Sequence, residues 1–306
     1  MNGKLLSPLT DPVFKRIFGQ EKEILIELIN AFIDLDEPVI DIEYLPQELL
    51  ADTSDGKVSI VDVRCIDSNK RHFIFEIQII RQLFYEERVL YYAAKAYSRQ
   101  LLKSRKYEDL QPVYLLSILD HTIDENSEEW LQRVSFINET NLTRKIKGIH
   151  LIYLELEKCR KRINFTMKNK QDRWITFLTE PEKIMTMSTQ EKHDYPNLVK
   201  AVELLDESNY TPGQLIAYDK YLDGIMTWNS TMVQSFDNGF DEGILKGKQE
   251  GKEEGREEGR EEGMMLGTDQ TIAILRELKI GKKAIDDIAS EFNIPVQKIM
   301  ELKSLL

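Results

Sequence analysis

A chain of 306 residues, 42% hydrophobic and 31% charged, holds enough apolar material for one well-cored domain of ordinary size and a smaller appendage. Its 53 acids against 41 bases, a formal charge of −12, exclude a general electrostatic coat for nucleic acid but leave room for a local basic groove. Cys65 and Cys159 stand in no metal or redox spacing, the four histidines are scattered singly, and no apolar run approaches a membrane span, so a disulfide framework, a zinc cluster and a membrane protein are not expected.

The opening segment MNGKLLSPLTDPVFKRIF lacks the apolar core of a signal peptide, and the expected compartment is a reducing cytoplasm. The first helix starts at TDPVFKRIF, with Thr10 or Asp11 as N-cap and a proline just inside the start. Gly19 interrupts it, and EKEILIELINAFI continues with Ile24, Leu25, Leu28, Ile29 and Phe32 at helical spacing. VIDIEYL (39–45) reads as a strand. VSIVDVRCID (58–67) and HFIFEIQII (72–80) read as two more, joined by the polar SNK (68–70) into a hairpin.

The last of these strands sets a problem. Alternation puts Phe73, Phe75, Ile77 and Ile79 on one face and Ile74, Glu76 and Gln78 on the other. A buried carboxylate is tolerated only when it is paired, hydrogen-bonded, bound to a cation or open to water. If the hairpin loop has three residues, Asp67 pairs with Arg71 and Asp62 lies opposite Glu76; a loop of two or four would put the acids on opposite faces. In the odd-loop register Asp62, Glu76 and Gln78 converge. Two such carboxylates repel unless a cation sits between them, and oxygen ligands suit a hard divalent ion such as Mg²⁺.

From about Phe84 to Ser104 the pattern is helical, and PVYLLSIL (112–119) is a buried strand that can return parallel through that crossover. Arg88, Lys95, Arg99 and Lys103 fall within roughly 80° on a helical wheel with Tyr92 between them, opposite a face of Leu90, Ala94, Tyr97 and Leu101 expected to pack. Such a basic stripe suits a phosphate backbone, or equally is a solvated face. GIHLIYLEL (148–156) is a further strand, and 168 to 229 is mostly helical with a break at TPGQ (211–214).

From Gly239 to Gly267 glycine recurs every fourth residue, and residues 241–263 hold nine acids against five bases. Glycine costs a helix roughly 1 kcal/mol per position relative to alanine, so one reading is a marginal charged connector; the other is a helix whose glycine groove admits a second helix and makes a dimer. The tail from Thr271 reads as three short helices broken at Gly281 and before Pro295. AIDDIASEFNIPVQKI within it resembles the turn of a helix-turn-helix, although a helical cap or oligomerisation element accounts for it as well.

Two acids across a sheet, the second followed at two residues by a polar group, in the order helix, three strands, helix, strand, resemble the PD-(D/E)XK nuclease fold, an α/β class. More narrowly, DPVFKRIFG (11–19), VDVRCID (61–67), FIFEIQ (73–78), ERVLYYAAKAYSRQL (87–101) and the EG-rich repeat are similar to the Rpn family of recombination-promoting nucleases and transposases. The likeness covers nearly the whole chain except, less securely, the last helices. It implies a metal-dependent DNA endonuclease linked to recombination or mobile elements, with Asp62 and Glu76 as Mg²⁺ ligands and Gln78 where the wider superfamily commonly has lysine. An amide can only orient water, so the cationic role falls to another residue. Lys15, Arg88, Tyr92, Lys95 and Arg99 are the candidates for contacting DNA, and Asp11, one turn before Lys15, matches the family's opening motif while serving equally as a cap. The expected organisation is a nuclease-like domain over 1–235, the repeat over 236–267 as a possible homodimer element, and a helical tail over 268–306. The competing expectation is a catalytically silent interaction protein whose acids pair with Arg64 or Lys15.

Overall fold

A computed structural model describes residues 3–49, 59–101, 106–143, 145–161, 167 and 169–306. Lys103, placed on the basic stripe above, and Val58, at the start of a predicted strand, lie outside them. Thr10 takes the extended N-cap conformation ahead of α1 (Asp11–Phe18), but its hydroxyl donates to the Ser7 carbonyl instead of capping the helix. After the break at Gly19, α2 (Lys22–Phe32) carries the predicted apolar face: Ile24, Leu25, Leu28, Ile29 and Phe32 are all fully buried.

The strand expected over 39–45 narrows to β1 (Ile42–Tyr44). The strand expected over 58–67 is two: β3 (Ser59–Ile60) pairs with β2 (Glu48–Leu49), and β4 (Val63–Asp67) pairs with β1. Val61 and Asp62 lie between them, outside either ladder. The hairpin from β4 to β5 (His72–Gln78) has the three-residue loop: Val63 faces Phe75, Arg64 faces Ile74 and Cys65 faces Phe73. Asp67 and Arg71 close it through a backbone hydrogen bond of 3.2 Å and an ion pair of 2.6 Å with the Asp67 side chain 1% exposed.

The chain then crosses over through α3 (Tyr85–Ser98) to β6 (Val113–Leu119), parallel to β5 as expected. β8 (Lys145–Glu155) pairs parallel to β6, and β7 (Leu131–Ile137) pairs antiparallel to β8, giving the order β1-β4-β5-β6-β8-β7. β7 was not anticipated. It is an edge strand with both faces partly or fully exposed, so it has no need of the apolar alternation that marks a core strand.

One face of the sheet, with Val63, Phe73, Phe75 and Leu116, packs against α1, α2, α5 (Lys170–Thr179) and α8 (Pro196–Glu203). The other, with Ile74, Leu115 and Leu151, packs against α3. Three short helices, α4 (Leu156–Arg160), α6 (Glu182–Met185) and α7 (Thr189–Asp194), fill out the first layer, and α9 (Pro212–Ile280) starts at the predicted break, where the Gln214 side chain accepts the Thr211 N–H. The result is the α/β architecture expected of a PD-(D/E)XK-like fold.

The chain divides into two units, Met1–Thr227 and Trp228–Leu306. In the second, α9 runs through all eight glycines of the repeat. The first helix of the tail is therefore the end of α9 and not a separate short one. Gly281 then takes a left-handed φ of 70°, and α10 (Ile285–Phe292) and α11 (Val296–Lys303) close on Ile274 to form a small core of Ile274, Ile288, Ala289 and Ile299. Among the described residues no helix is long and apolar enough to cross a membrane.

Candidate active site

Asp62 sits where the β4 ladder ends, and its side chain explains why. In a continued ladder the Ile77 N–H would face another strand's carbonyl; here it donates to Asp62 Oδ2 at 2.8 Å. The Gln47 amide holds the Asp62 carbonyl from the other side. Asp62 is thus fixed by two local bonds at the end of its strand, facing Glu76 as the hairpin register requires.

Glu76 lies within the sheet, 6% exposed, and its Oε1 is buried with no hydrogen-bond partner. Burial pushes the Glu76 carboxyl up to about 8 and the neighbouring Asp62 charge adds to it, with Arg88 and Lys15 pulling the other way. Burial likewise lifts Asp62 to about 6, partly offset by the Ile77 N–H and raised further by Asp11. Glu76, buried, and Asp62, half-buried, are both raised above the ordinary carboxylate range, burial being the main cause and the charge of a neighbouring acid adding to it.

Lys15 of α1 supplies positive charge from one side. Its ammonium lies 2.7 Å from Asp11 and 3.5 Å from Asp62. Burial alone would depress it, but the two carboxylates outweigh burial and hold it above its ordinary value. Asp11 is therefore more than a helix-terminal acid: it binds Lys15 beside the carboxylate pair. The Tyr221 phenol of α9 stands near it: burial raises that phenol and the Asp11 charge adds to the rise. Tyr221 was missed from sequence, because nothing local to the long helix indicates that its first turns return to α1.

From the other side comes α3, and here the helical wheel misassigned the faces. Val89, Ala93 and Ala96 are buried against the sheet, whereas Leu90 is 41% exposed and Ala94 lies open to solvent. Small residues let the helix lie close to the strands, and that requirement outranks the larger apolar side chains. The stripe of Arg88, Tyr92, Lys95 and Arg99 is consequently turned inward or half inward. Lys95 is only 5% exposed, with its ammonium 5.4 Å from the centre of the Tyr91 ring, so it is not the solvent-facing contact expected.

Arg88 bonds Gln78 and acts on Glu76 through its charge. Its Nη2 donates to Gln78 Oε1 at 2.8 Å, its Nη1 donates to the Gln82 side chain, and its guanidinium lies 5.0 Å from the centre of the Tyr85 ring. The Gln78 amide nitrogen donates to the Ile80 carbonyl at 2.8 Å. Both ends of the Gln78 side chain are occupied, so it acts as a clamp for Arg88 more than as a free hydrogen-bonding group. Tyr92 stands beside this cluster: burial raises its phenol, and Arg88 and Glu76 act on it in opposite directions.

The donor set fits a hard divalent cation. It consists of carboxylate oxygens only, one of them orphaned, and Mg²⁺ characteristically takes one or two carboxylates while keeping several waters. Among the described residues no group of three or more His, Cys, Asp or Glu side chains is gathered to hold a metal ion, so such a cation would rest on the two acids and solvent. The family described as PD-(D/E)XK nuclease family transposase matches residues 8–233, a span that takes in every residue of this cluster. No curated protein and no solved structure matches the chain.

Proposed function

The chain belongs to the PD-(D/E)XK nuclease family transposases, and from that membership we propose that it is a divalent-metal-dependent DNA endonuclease with Asp62 and Glu76 as metal ligands. The observation that carries the proposal is the orphaned, buried Glu76 Oε1 facing a second raised carboxylate. That arrangement is unfavourable in a resting protein and is relieved by a cation. When bound, Mg²⁺ would polarise the scissile phosphate and lower the pKa of a coordinated water.

The remaining work falls to the chain's own side chains. Arg88, clamped on Gln78, presents a fixed positive charge next to Glu76, the part that lysine plays in the wider superfamily. It is suited to the charge that grows on a phosphate during hydrolysis, and clamping removes the cost of orienting it at that moment. Lys15, held by Asp11, offers a second cation on the opposite side of Asp62. A role in recombination or mobile-element biology follows the family, and the repeat along α9 is proposed to pair two copies.

The competing reading, a silent interaction protein, draws on the Lys15 to Asp62 ion pair at 3.5 Å, which partly neutralises one acid without any metal. Supercoiled plasmid incubated with the protein in Mg²⁺ and in EDTA separates the two. Nicking or linearisation in Mg²⁺ that disappears in EDTA and in Glu76→Gln supports the nuclease; an intact plasmid with Mg²⁺ or Mn²⁺, from a folded protein, supports the silent reading.

A further inference from the structure

Two buried hydroxyls stand beside Glu76, and the function above makes no use of either. In the parallel ladder of β5 and β6, Ser117 is the register partner of Glu76, so the two side chains leave the sheet on the same face, one strand or about 4.8 Å apart. Ser117 is 0% exposed, and its Oγ has no hydrogen-bond partner. Tyr85, the first residue of α3, is buried in the same layer, and its Oη likewise has none. The phenol feels both neighbours: burial holds it well above its ordinary value, the Glu76 charge adds to the rise, and the Ser117 hydroxyl opposes it. With Glu76 Oε1, three buried oxygens of neighbouring side chains are thus unpaired among the described residues, at one place between α3 and the sheet.

An unpaired buried hydroxyl destabilises a fold, and packing alone would be served better by alanine at 117 and phenylalanine at 85. An ionised carboxylate only accepts hydrogen bonds, whereas each hydroxyl can donate one. We infer that Ser117 and Tyr85 are positioning residues for Glu76: their hydroxyls donate to one oxygen of its carboxylate and so aim the other at the metal ion. The inference rests on the metal site proposed above and adds the residues that hold its ligand. Ser117 turns its hydroxyl on one torsion and Glu76 its carboxyl on three, so the contact closes through side-chain rotation with the strands in place. Metal-ligating carboxylates are themselves hydrogen-bonded as a rule, and losing such a partner costs roughly 10–100-fold in metal affinity. The Nε of Arg88 is a further buried donor without a partner. Its charge acts on Glu76 whatever it bonds, so the hydroxyls are the groups to vary.

Calorimetric titration of the full chain with Mn²⁺, without DNA, reads how well Glu76 is aimed. Ser117→Ala and Tyr85→Phe are each expected to weaken Mn²⁺ binding roughly tenfold. In cleavage assays both should need about ten times more Mg²⁺ for half-maximal rate, with the rate at saturating Mg²⁺ close to that of the wild type, a split that damage to packing would not produce. Thermal melts in EDTA check folding, and whichever variant folds decides. Wild-type Mn²⁺ affinity in the folded variants would overturn the inference while leaving the metal site in place. A wild type that binds Mn²⁺ yet cuts no DNA would sink the nuclease reading alone, and the affinities still decide the hydroxyls. A wild type that binds no Mn²⁺ overturns both.

Discussion

Arg88 donates to Gln78 across 2.8 Å, from the first turns of α3 to the last residue of β5, and this bond joins the helix to the strand that carries Glu76. On the proposed reading, the glutamine that stands where the wider superfamily commonly has lysine holds an arginine, and that arginine would supply the charge.

Arg88→Ala is therefore expected to lower single-turnover cleavage about 100-fold, the scale of losing one preorganised charged donor. Gln78→Ala should cost less, because Gln82 still holds Arg88. Gln78→Lys alone should be harmful, since it sets a second cation against Arg88. Combined with Arg88→Gln it should recover much of the activity. Additive losses in the double variant would break the link between the two residues.

Metal-free stability should fall as pH rises. Asp62 and Glu76 are held at about 6 and about 8, against ordinary values of 3.8 and 4.5, so the folded chain keeps protons that the unfolded chain releases. Their favourable contribution is complete below about pH 4 and is lost through pH 6 and 8. Denaturant titrations in EDTA between pH 5 and 9 should show the decline. Mg²⁺ should flatten it, because a bound cation favours the charged forms. A metal-free stability that rises over this range would remove the electrostatic basis of the site.

Glu76→Gln at pH 9 in EDTA should melt a few degrees above the parent, since the amide keeps the shape and removes a buried charge beside Asp62. Cleavage should be lost in the same variant. Stability gained with activity lost distinguishes a metal ligand from a residue that merely packs, for which both would fall.

Removing residues 239–306 should leave a folded, cleaving core. Both large apolar clusters are built from residues before Thr227, and the third, Ile274 with α10 and α11, lies in the other unit. Sedimentation of the full and truncated chains then tests the pairing proposal, which requires a larger species for the full chain only.

Gly251, Gly255 and Gly259 have nothing within 4 Å of an added Cβ, so replacing all three with alanine should stabilise that stretch of α9 by roughly 1 kcal/mol per position. Circular dichroism reads the helix, and sedimentation reads its partner. If the glycines admit a second helix, the alanine variant gains helix and loses dimer; unchanged association would place any pairing surface elsewhere on α9.

The sequence by itself determined the hairpin. Strand periodicity of two makes facing residues a matter of counting, so alternation in HFIFEIQII with a three-residue SNK loop brought Asp62 opposite Glu76, and the structure has that loop. The first helices, the parallel return of β6 and the break at Gly281 were legible for the same reason: each depends on neighbours within a few residues. Only the tertiary structure decided which side of α3 meets the sheet. Two apolar faces compete along that helix, and Tyr85, Val89, Ala93 and Ala96 meet the sheet, with Tyr97 packed at their edge, a choice set by a partner the local pattern does not contain. The same holds for the break at Asp62, made by the Ile77 N–H from the neighbouring strand, and for Tyr221, which stands near Asp11 across more than two hundred residues of chain.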